Sequence, residues 1–471
     1  MFTWTLQNLL EATQGYHKHG KITHAISGFT TDSRNVKPGQ VFVCLNGENF
    51  DGHDFIVQAA NAGTSVIVTH KDEPSIWSKL PQDVVVILVS DTLIALQSLG
   101  AYRRRHFTGP VVGITGSNGK SSTKEFSKVI VGSKKRTHAS PGSFNNHWGV
   151  PISILSMPTD CEVLILEMGM SALGEIATLC KIANPTVVVV TMVGSSHIGE
   201  LGSHANIAKA KAEIYENSPN AHFIFNLDNQ WTRQMVENYK AKTKSSSSFG
   251  AFSSGGDCTM RALRQKLDYL EIEGTVFGLA GKTSVPVFGR HNVVNLMAAS
   301  CIAKAVGLTA NEIWNALPLC KTGWGRNQLI KLPNGATVLF DGYNANPESM
   351  SALIKNIFET DSNGKKIAVL ADMLELGSSA NELHFELGKL TGQTDLDAIW
   401  FYGSHHEDFA KGVKAAGYAK RLIATDQFSP QIALELGNDL KSADIAVIKG
   451  SRGMKLERVL KEWYPEWKSE K

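Results

Sequence analysis

No apolar run in this sequence is long enough to cross a bilayer. The longest, Val187 to Val193, is interrupted by Thr191 and falls far short of the ~20 residues of a spanning helix, so stable membrane insertion is excluded. Long basic runs are missing too. Net charge is +3 over 471 residues. Arg103 to Arg105 is a short basic cluster that reads as a solvated helix end or linker, so nucleic acid is not an expected partner. Cysteine is sparse. The six residues, at 44, 161, 180, 258, 301 and 320, form no CxxC pair, which points to reduced thiols and a cytoplasmic location rather than a disulfide framework. The opening MFTWTLQNLLEATQG lacks a basic region followed by an apolar core and reads as a short helix, not a secretory signal. With 42% hydrophobic and 19% charged residues the chain is no disordered polymer; its length suits two to four domains, and no internal repeat or coiled coil is evident.

What is present concentrates in Val111 to Ser122, VVGITGSNGKSS. A β-branched run meets a Gly-rich turn, then Lys120 and two hydroxyls, then a segment that can begin a helix. Such a strand-to-helix loop cups phosphate with backbone N–H groups, and the helix dipole and one lysine add positive potential. Glycine is missing at 114, where the usual phosphate loop has it, and stands at 113 and 116 instead. Read alone, the stretch fits either an ATP or GTP cradle or an ordinary turn with a solvated lysine. In the first case Thr115, Gly116, Ser117, Asn118, Gly119, Lys120, Ser121 and Ser122 surround the phosphates, with Lys120 against the β- and γ-groups and Ser121 first choice for Mg²⁺.

Around this stretch the pattern divides the chain into units 1–107, 108–322 and 323–471. The first alternates β and α. The second has near-continuously apolar strand candidates at Val111–Thr115, Val163–Glu167, Thr186–Val193 and His222–Asn226, as in parallel strands covered on both faces. Asn292 to Val306 predicts a helix, and the Ser/Gly-rich Thr243 to Gly256 a loop. The third repeats βα, with strands at Val338–Phe340, Lys366–Ala371, Ala398–Phe401 and Ile445–Ile448, predicting a smaller doubly wound domain.

Ligands gather beyond the carboxyl ends of strands in open α/β sheets. Glu167 ends one, where a carboxylate can hold Mg²⁺, cap a helix or pair with a cation. His197 follows another. Lys209 and Lys211 sit two apart on a helical segment, so only one easily faces a site there. In the third unit Asp341, Tyr343, Asn344 and Asn346 occupy one strand-end loop, Asp372 and Glu375 a second, and Lys449, Ser451 and Arg452 a third. Arg326, beyond the second boundary, fits either a phosphate contact or an interdomain ion pair.

Together these segments resemble the Mur ligases of bacterial cell-wall synthesis. GITGSNGKSSTKE is similar to the family's ATP loop, usually written TNGK. SPGSFNNHWGVPISIL resembles its substrate stretch, LEMGM its magnesium glutamate, SSHIGELGS its metal-ligand histidine and GRHNVVN its adenosine-side motif. The fold implied is the three-domain α/β Mur ligase architecture, with a central P-loop mononucleotide-binding domain and a C-terminal Rossmann-like domain. The resemblance implies Lys211 as the position that becomes N6-carboxylysine, and Ser121, Glu167, His197 and carbamylated Lys211 as the metal ligands. Lys120, Lys211, His197 and Glu167 are then the catalytic set, and Asn292, Asn295, Arg326 and Asp341 join the ATP contacts. SRNVKPGQVFVCLNG and DGH resemble the uridine-nucleotide region, nominating Ser33, Arg34, Asn46 and His53, with Asn145 and Asn146 on the rest of that substrate.

YNANP, ADMLELG and KGSRGM resemble the branch that adds D-alanyl-D-alanine, which nominates Tyr343, Asn344, Asn346, Asp372, Glu375, Lys449, Ser451 and Arg452 for the dipeptide. Where that branch commonly reads DDSYNANP, this chain has Phe340 and Gly342 in place of the first acidic residue and the serine. The implied reaction uses ATP and Mg²⁺ to join UDP-MurNAc-tripeptide to D-alanyl-D-alanine through an acyl phosphate, in a monomer whose domains close over the reactants. The rivals are another ATP-dependent amino-acid ligase, including the folylpolyglutamate type, and a nucleotide-switched binding protein.

Overall fold

The computed structural model describes residues 2–47, 50–360 and 362–468. Three sheets follow one another along the chain, and in each the side chains of the inner parallel strands alternate between two buried faces. In the first, the strands run in the order Tyr16–His19, Val85–Leu88, Val66–Thr69, Gln40–Val43, Gly28–Thr30. Val41, Val43, Val66, Val68, Val85 and Ile87 pack toward the helices Leu6–Thr13 and Thr92–Arg105; Phe42, Ile67 and Val86 pack on Ile56 and Trp77 behind them.

The central sheet has nine strands among the described residues. Val111–Thr115 lies between Val187–Val190 and Val163–Glu167, parallel to both, with Thr115 opposite Val190 and Ile114 opposite Glu167. That register places the phosphate loop, Glu167 and the segment after Val190 at one sheet edge. Helices Lys120–Gly132 and Asn292–Ala305 cover one face, Glu175–Ala183 and His204–Glu216 the other. The third sheet orders Gln328–Lys331, Thr337–Asp341, Ile445–Lys449, Lys366–Ala371, Ala398–Tyr402 and Arg421–Thr425, all parallel except the antiparallel first strand. Among the described residues no helix is long and apolar enough to cross a membrane.

Three expectations need correcting. Within Thr243 to Gly256, Ser246–Gly250 is a strand, paired in parallel with His222–Asn226. Serine has little strand propensity, but Ser247, Phe249 and Gly250 are buried, and the pairing with that neighbouring strand overrides composition. The strand expected over Thr186–Val193 stops at Val190 because the next residues serve the phosphate loop. The Thr191 hydroxyl donates to the Asn118 carbonyl at 2.6 Å, and the Met192 carbonyl accepts from the Ser117 amide at 2.8 Å. Arg103 and Arg104 are buried, not solvated. The Arg104 guanidinium donates to the carbonyls of Ala183 (2.6 Å), Asn184 (2.8 Å) and Phe107 (2.8 Å), tying the first unit's last helix to the carbonyl end of a central-unit helix, where a cation is favoured.

Candidate active site

The helix Lys120–Gly132 begins directly at the loop. Gly119 has φ +83°, and a Cβ there would collide with the Asn295 side-chain oxygen, so glycine is required twice over. Asn295 is held by the Asn292 oxygen at 3.0 Å, and Asn292 by the Phe288 carbonyl at 2.7 Å. Lys120 folds back along the loop, its Nζ donating to the Gly116 carbonyl at 2.6 Å. Burial pushes its ammonium down, opposed by Glu167.

Glu167 is buried at its strand end. Its Oε2 accepts from the Ser121 hydroxyl at 2.7 Å and its Oε1 from the Asn145 amide at 2.9 Å. A Cβ at residue 169 would meet that amide, so Gly169 makes its approach possible. Arg326 reaches in from the third unit, donating to the Ser121 hydroxyl at 2.7 Å while stacking 4.4 Å from the Tyr343 ring centroid. Burial alone would raise the Glu167 carboxyl, but Lys124, Arg326, Lys120 and the Ser121 hydrogen bond outweigh it and hold it below the usual value. A carboxylate and a hydroxyl converging beside a phosphate loop form a hard oxygen donor set that fits Mg²⁺.

On the other side, His197 has φ +66° and a buried Nδ1 without a hydrogen bond, 3.2 Å from the Glu375 carboxylate and 4.0 Å from Glu200. Burial, then Lys120 and Lys211, push the imidazole down to about 4, so at neutral pH the ring is uncharged and the Glu375 contact is no ion pair. Of the two lysines nearby, Lys209 faces solvent and Lys211 is buried. Burial, with Lys120 second, pushes its ammonium well below the usual value.

The third sheet closes over this edge. The Asn346 amide donates at 2.7 Å to both the Asn118 oxygen in the phosphate loop and the Ser196 hydroxyl. Glu348 Oε1 accepts from the Ser195 amide (2.8 Å) and hydroxyl (2.7 Å). Lys449 pairs with Asp341 at 2.5 Å and donates to the Asn344 carbonyl. Between the units lies a cavity of about 450 Å³ whose lining includes Lys120, Glu167, His197, Asn344, Glu375 and Lys449.

The structure gathers most of the nominated residues here, but not all. Asp372 is buried, accepting from the Ser404 and His405 amides at 2.7 and 3.2 Å. Ser451 accepts from the Leu374 amide at 2.9 Å, and Arg452 pairs with Glu457 and stacks on Trp324. These three shape the loops without lining the cavity. Ser33, Arg34, Asn46 and His53 lie in the first unit, outside the cavity lining. There Arg34 is chelated by Asp32 at 2.8 Å, and His53 is buried against Asp51. Sequence reasoning missed Glu348 and Lys124. Lys124 carried a signal, the i+4 spacing from Lys120 that puts both on one helix face.

A phosphate loop, an acidic strand end and a second α/β domain latched over them fit a nucleotide-using enzyme whose cavity lies between domains. Comparison with known proteins gives the family. The Mur ligase family catalytic domain matches residues 25–104, the Mur ligase middle domain 114–303 and the Mur ligase glutamate ligase domain 325–452. The UDP-N-acetylmuramoyl-tripeptide–D-alanyl-D-alanine ligase of Bacillus subtilis is 33% identical over 463 residues, covering 98% of each chain. A crystal structure of MurF from Acinetobacter baumannii superposes with TM-score 0.86 at 29% identity, covering 98% of this chain and 99% of that one. The MurF ligase of Thermotoga maritima, solved in complex with ADP, gives 0.78 at 30% identity, covering 94% and 98%. The chain belongs to the Mur ligase family and is an ATP-dependent ligase of that type.

Proposed function

We propose that the enzyme uses ATP to join the terminal carboxylate of UDP-MurNAc-tripeptide to the amine of D-alanyl-D-alanine, giving the UDP-linked pentapeptide, ADP and phosphate. The observation that carries this reading is the latch of Asn346 and Glu348 on Asn118 and Ser195, which brings the third sheet's strand-end loops over the phosphate loop. Units 1–107, 108–322 and 323–471 are assigned the uridine nucleotide, ATP and the dipeptide in turn, consistent with the names of the relatives.

The substrate carboxylate attacks the γ-phosphorus and the bond to the β-phosphate oxygen breaks. Lys120 and the loop amides favour the charge developing on the transferred oxygens. The dipeptide amine then attacks the acyl phosphate, and the tetrahedral intermediate expels phosphate. Closure of the third unit aligns amine and carbonyl and keeps water from the acyl phosphate. Ser121 with Glu167, and His197 with Lys211, would hold Mg²⁺, which supplies charge neutralisation at the phosphates when bound. CO₂ adds to the amine and not the ammonium, so the downward push on Lys211 from burial and Lys120 supports N6-carboxylation there. Asn292, Asn295 and Arg326 are assigned to the nucleotide, Asn145 and Asn146 to the muramoyl substrate, and Tyr343, Asn344 and Glu375 to the dipeptide.

The test supplies ATP, Mg²⁺, UDP-MurNAc-tripeptide and D-alanyl-D-alanine and weighs the products by mass spectrometry. A dipeptide-dependent UDP-pentapeptide is expected. Phosphate release without such a product, or a product formed equally well with glutamate, overturns the assignment.

A further inference from the structure

The helix that opens at Lys120 carries a second lysine for which the reaction above has no step. Lys124 is 1% exposed. Its Nζ donates to the Ser140 carbonyl at 2.9 Å and to the Gly142 carbonyl, and lies 3.1 Å from Glu125 Oε1 and 3.9 Å from Glu167 Oε2. A buried ammonium needs a counterion and filled hydrogen-bond positions, and Glu125 alone would provide the first. The two carbonyls fill the second, and both belong to one segment that runs on to the active site.

Ser140 and Gly142 begin the segment that reaches Asn145, and that segment touches Glu167 repeatedly. The Ser140 hydroxyl accepts from the Glu167 amide at 3.2 Å, the Asn145 side-chain amide donates to Glu167 Oε1 at 2.9 Å, and the Asn145 carbonyl accepts from the Gly169 amide at 2.8 Å. Glu167 is thus gripped on one oxygen by Asn145 and on the other by Ser121, with Lys124 behind it holding the segment's own backbone. Lys124 does not line the cavity. It can act only through what it holds.

We propose that Lys124 is a positioning residue that locks residues 140–146 and the Glu167 carboxylate into one frame, so that the muramoyl substrate's contacts and the cation-binding carboxylate keep a fixed spacing. The inference rests on the assignment of Asn145 and Asn146 to that substrate. Methionine at 124 would fill the volume and donate nothing, freeing the segment from the helix. The phosphate loop is held separately, through Thr191 and Met192, and should not feel the change.

The experiment compares wild type, Lys124→Met and Lys124→Arg by steady-state kinetics, and titrates each calorimetrically with ADP in the absence of Mg²⁺ and with UDP-MurNAc-tripeptide. Lys124→Met is expected to lower kcat/KM about 10–100-fold, as losses of supporting contacts behind a ligand do. KM and Kd for the UDP-substrate should rise while the affinity for metal-free ADP, which does not pass through Glu167, stays at the wild-type value. Lys124→Arg keeps the charge and the donors but carries them on a larger, planar head, so it should fall between the two. Wild-type UDP-substrate affinity in Lys124→Arg overturns the proposal whether or not Lys124→Met folds, as does a parallel loss of both affinities. If wild-type enzyme fails to bind the UDP-substrate or to use the dipeptide, the functional assignment falls instead.

Discussion

Replacing Asn346 with serine separates two tasks of one side chain. Its oxygen caps the helix Pro347–Phe358 by accepting from the Ser349 amide at 2.9 Å, and its amide reaches across the domain boundary to Asn118 and Ser196 at 2.7 Å each. Serine caps as well as asparagine but is too short to cross. The Asn118 amide also donates back to the Asn346 oxygen at 3.1 Å, and at about 1 kcal/mol net for each interdomain hydrogen bond the loss of all three costs ~3 kcal/mol. That moves the closed-to-open ratio about 150-fold. Since closure aligns amine and acyl phosphate, kcat/KM in a phosphate-release assay should fall by up to that factor. Small-angle scattering should show less compaction with nucleotide and substrate bound. Asn346→Ala loses the cap too, so it should match serine in activity but melt lower, by a further ~1 kcal/mol. Wild-type kcat/KM and compaction in Asn346→Ser would refute the latch.

Other expectations concern separate parts of the molecule. Lys120→Ala should lower kcat about 100–1,000-fold, the usual loss for one donor to a transition-state oxyanion, with the fold intact by circular dichroism; a smaller loss would remove Lys120 from the phosphoryl step. Lys211 in ¹³C-bicarbonate should give a carbamate carbonyl signal by NMR that Lys211→Ala lacks, and CO₂-depleted buffer should reduce activity reversibly; no signal and no bicarbonate effect would dispose of the modification. Arg104→Met should cost at least ~3 kcal/mol in urea unfolding, because the Ala183, Asn184 and Phe107 carbonyls lose a charged donor inside the protein. Its KM for ATP, measured well below the transition, should not move.

The parallel strands were legible in sequence because both faces are buried, leaving continuous β-branched runs such as VLILE and VVVV. The phosphate loop and Glu167 were legible for a related reason, since strand ends mark where ligands gather. What escaped was whatever depends on a neighbour. Ser246–Gly250 has the composition of a loop and becomes a strand beside His222–Asn226. Arg104 has the character of a surface residue until helix Glu175–Ala183 brings its last carbonyls alongside. Asp372, Ser451 and Arg452 sat in motifs as polar as those that face the cavity, and nothing local distinguishes a loop residue that binds a ligand from one that holds its own loop.

The electrostatics of the cleft bind the pieces of the mechanism together. Lys120, Lys124 and Arg326 surround the buried Glu167 carboxylate, while burial and Lys120 push both His197 and Lys211 down. The same field acts on Lys211 twice. Lys120, second to burial, pushes its ammonium down, toward the amine that CO₂ addition requires, and would stabilise a carbamate anion formed there. A buried ammonium at that position would oppose both the cation beside it and its own desolvation, whereas a carbamate would answer the first and offer two oxygens to Mg²⁺. The loop lysine that meets the phosphates and the buried lysine that would carry the carbamate are therefore one electrostatic unit. A change at Lys120 should reach the carbamate signal at Lys211 even where no atom of the two side chains touches.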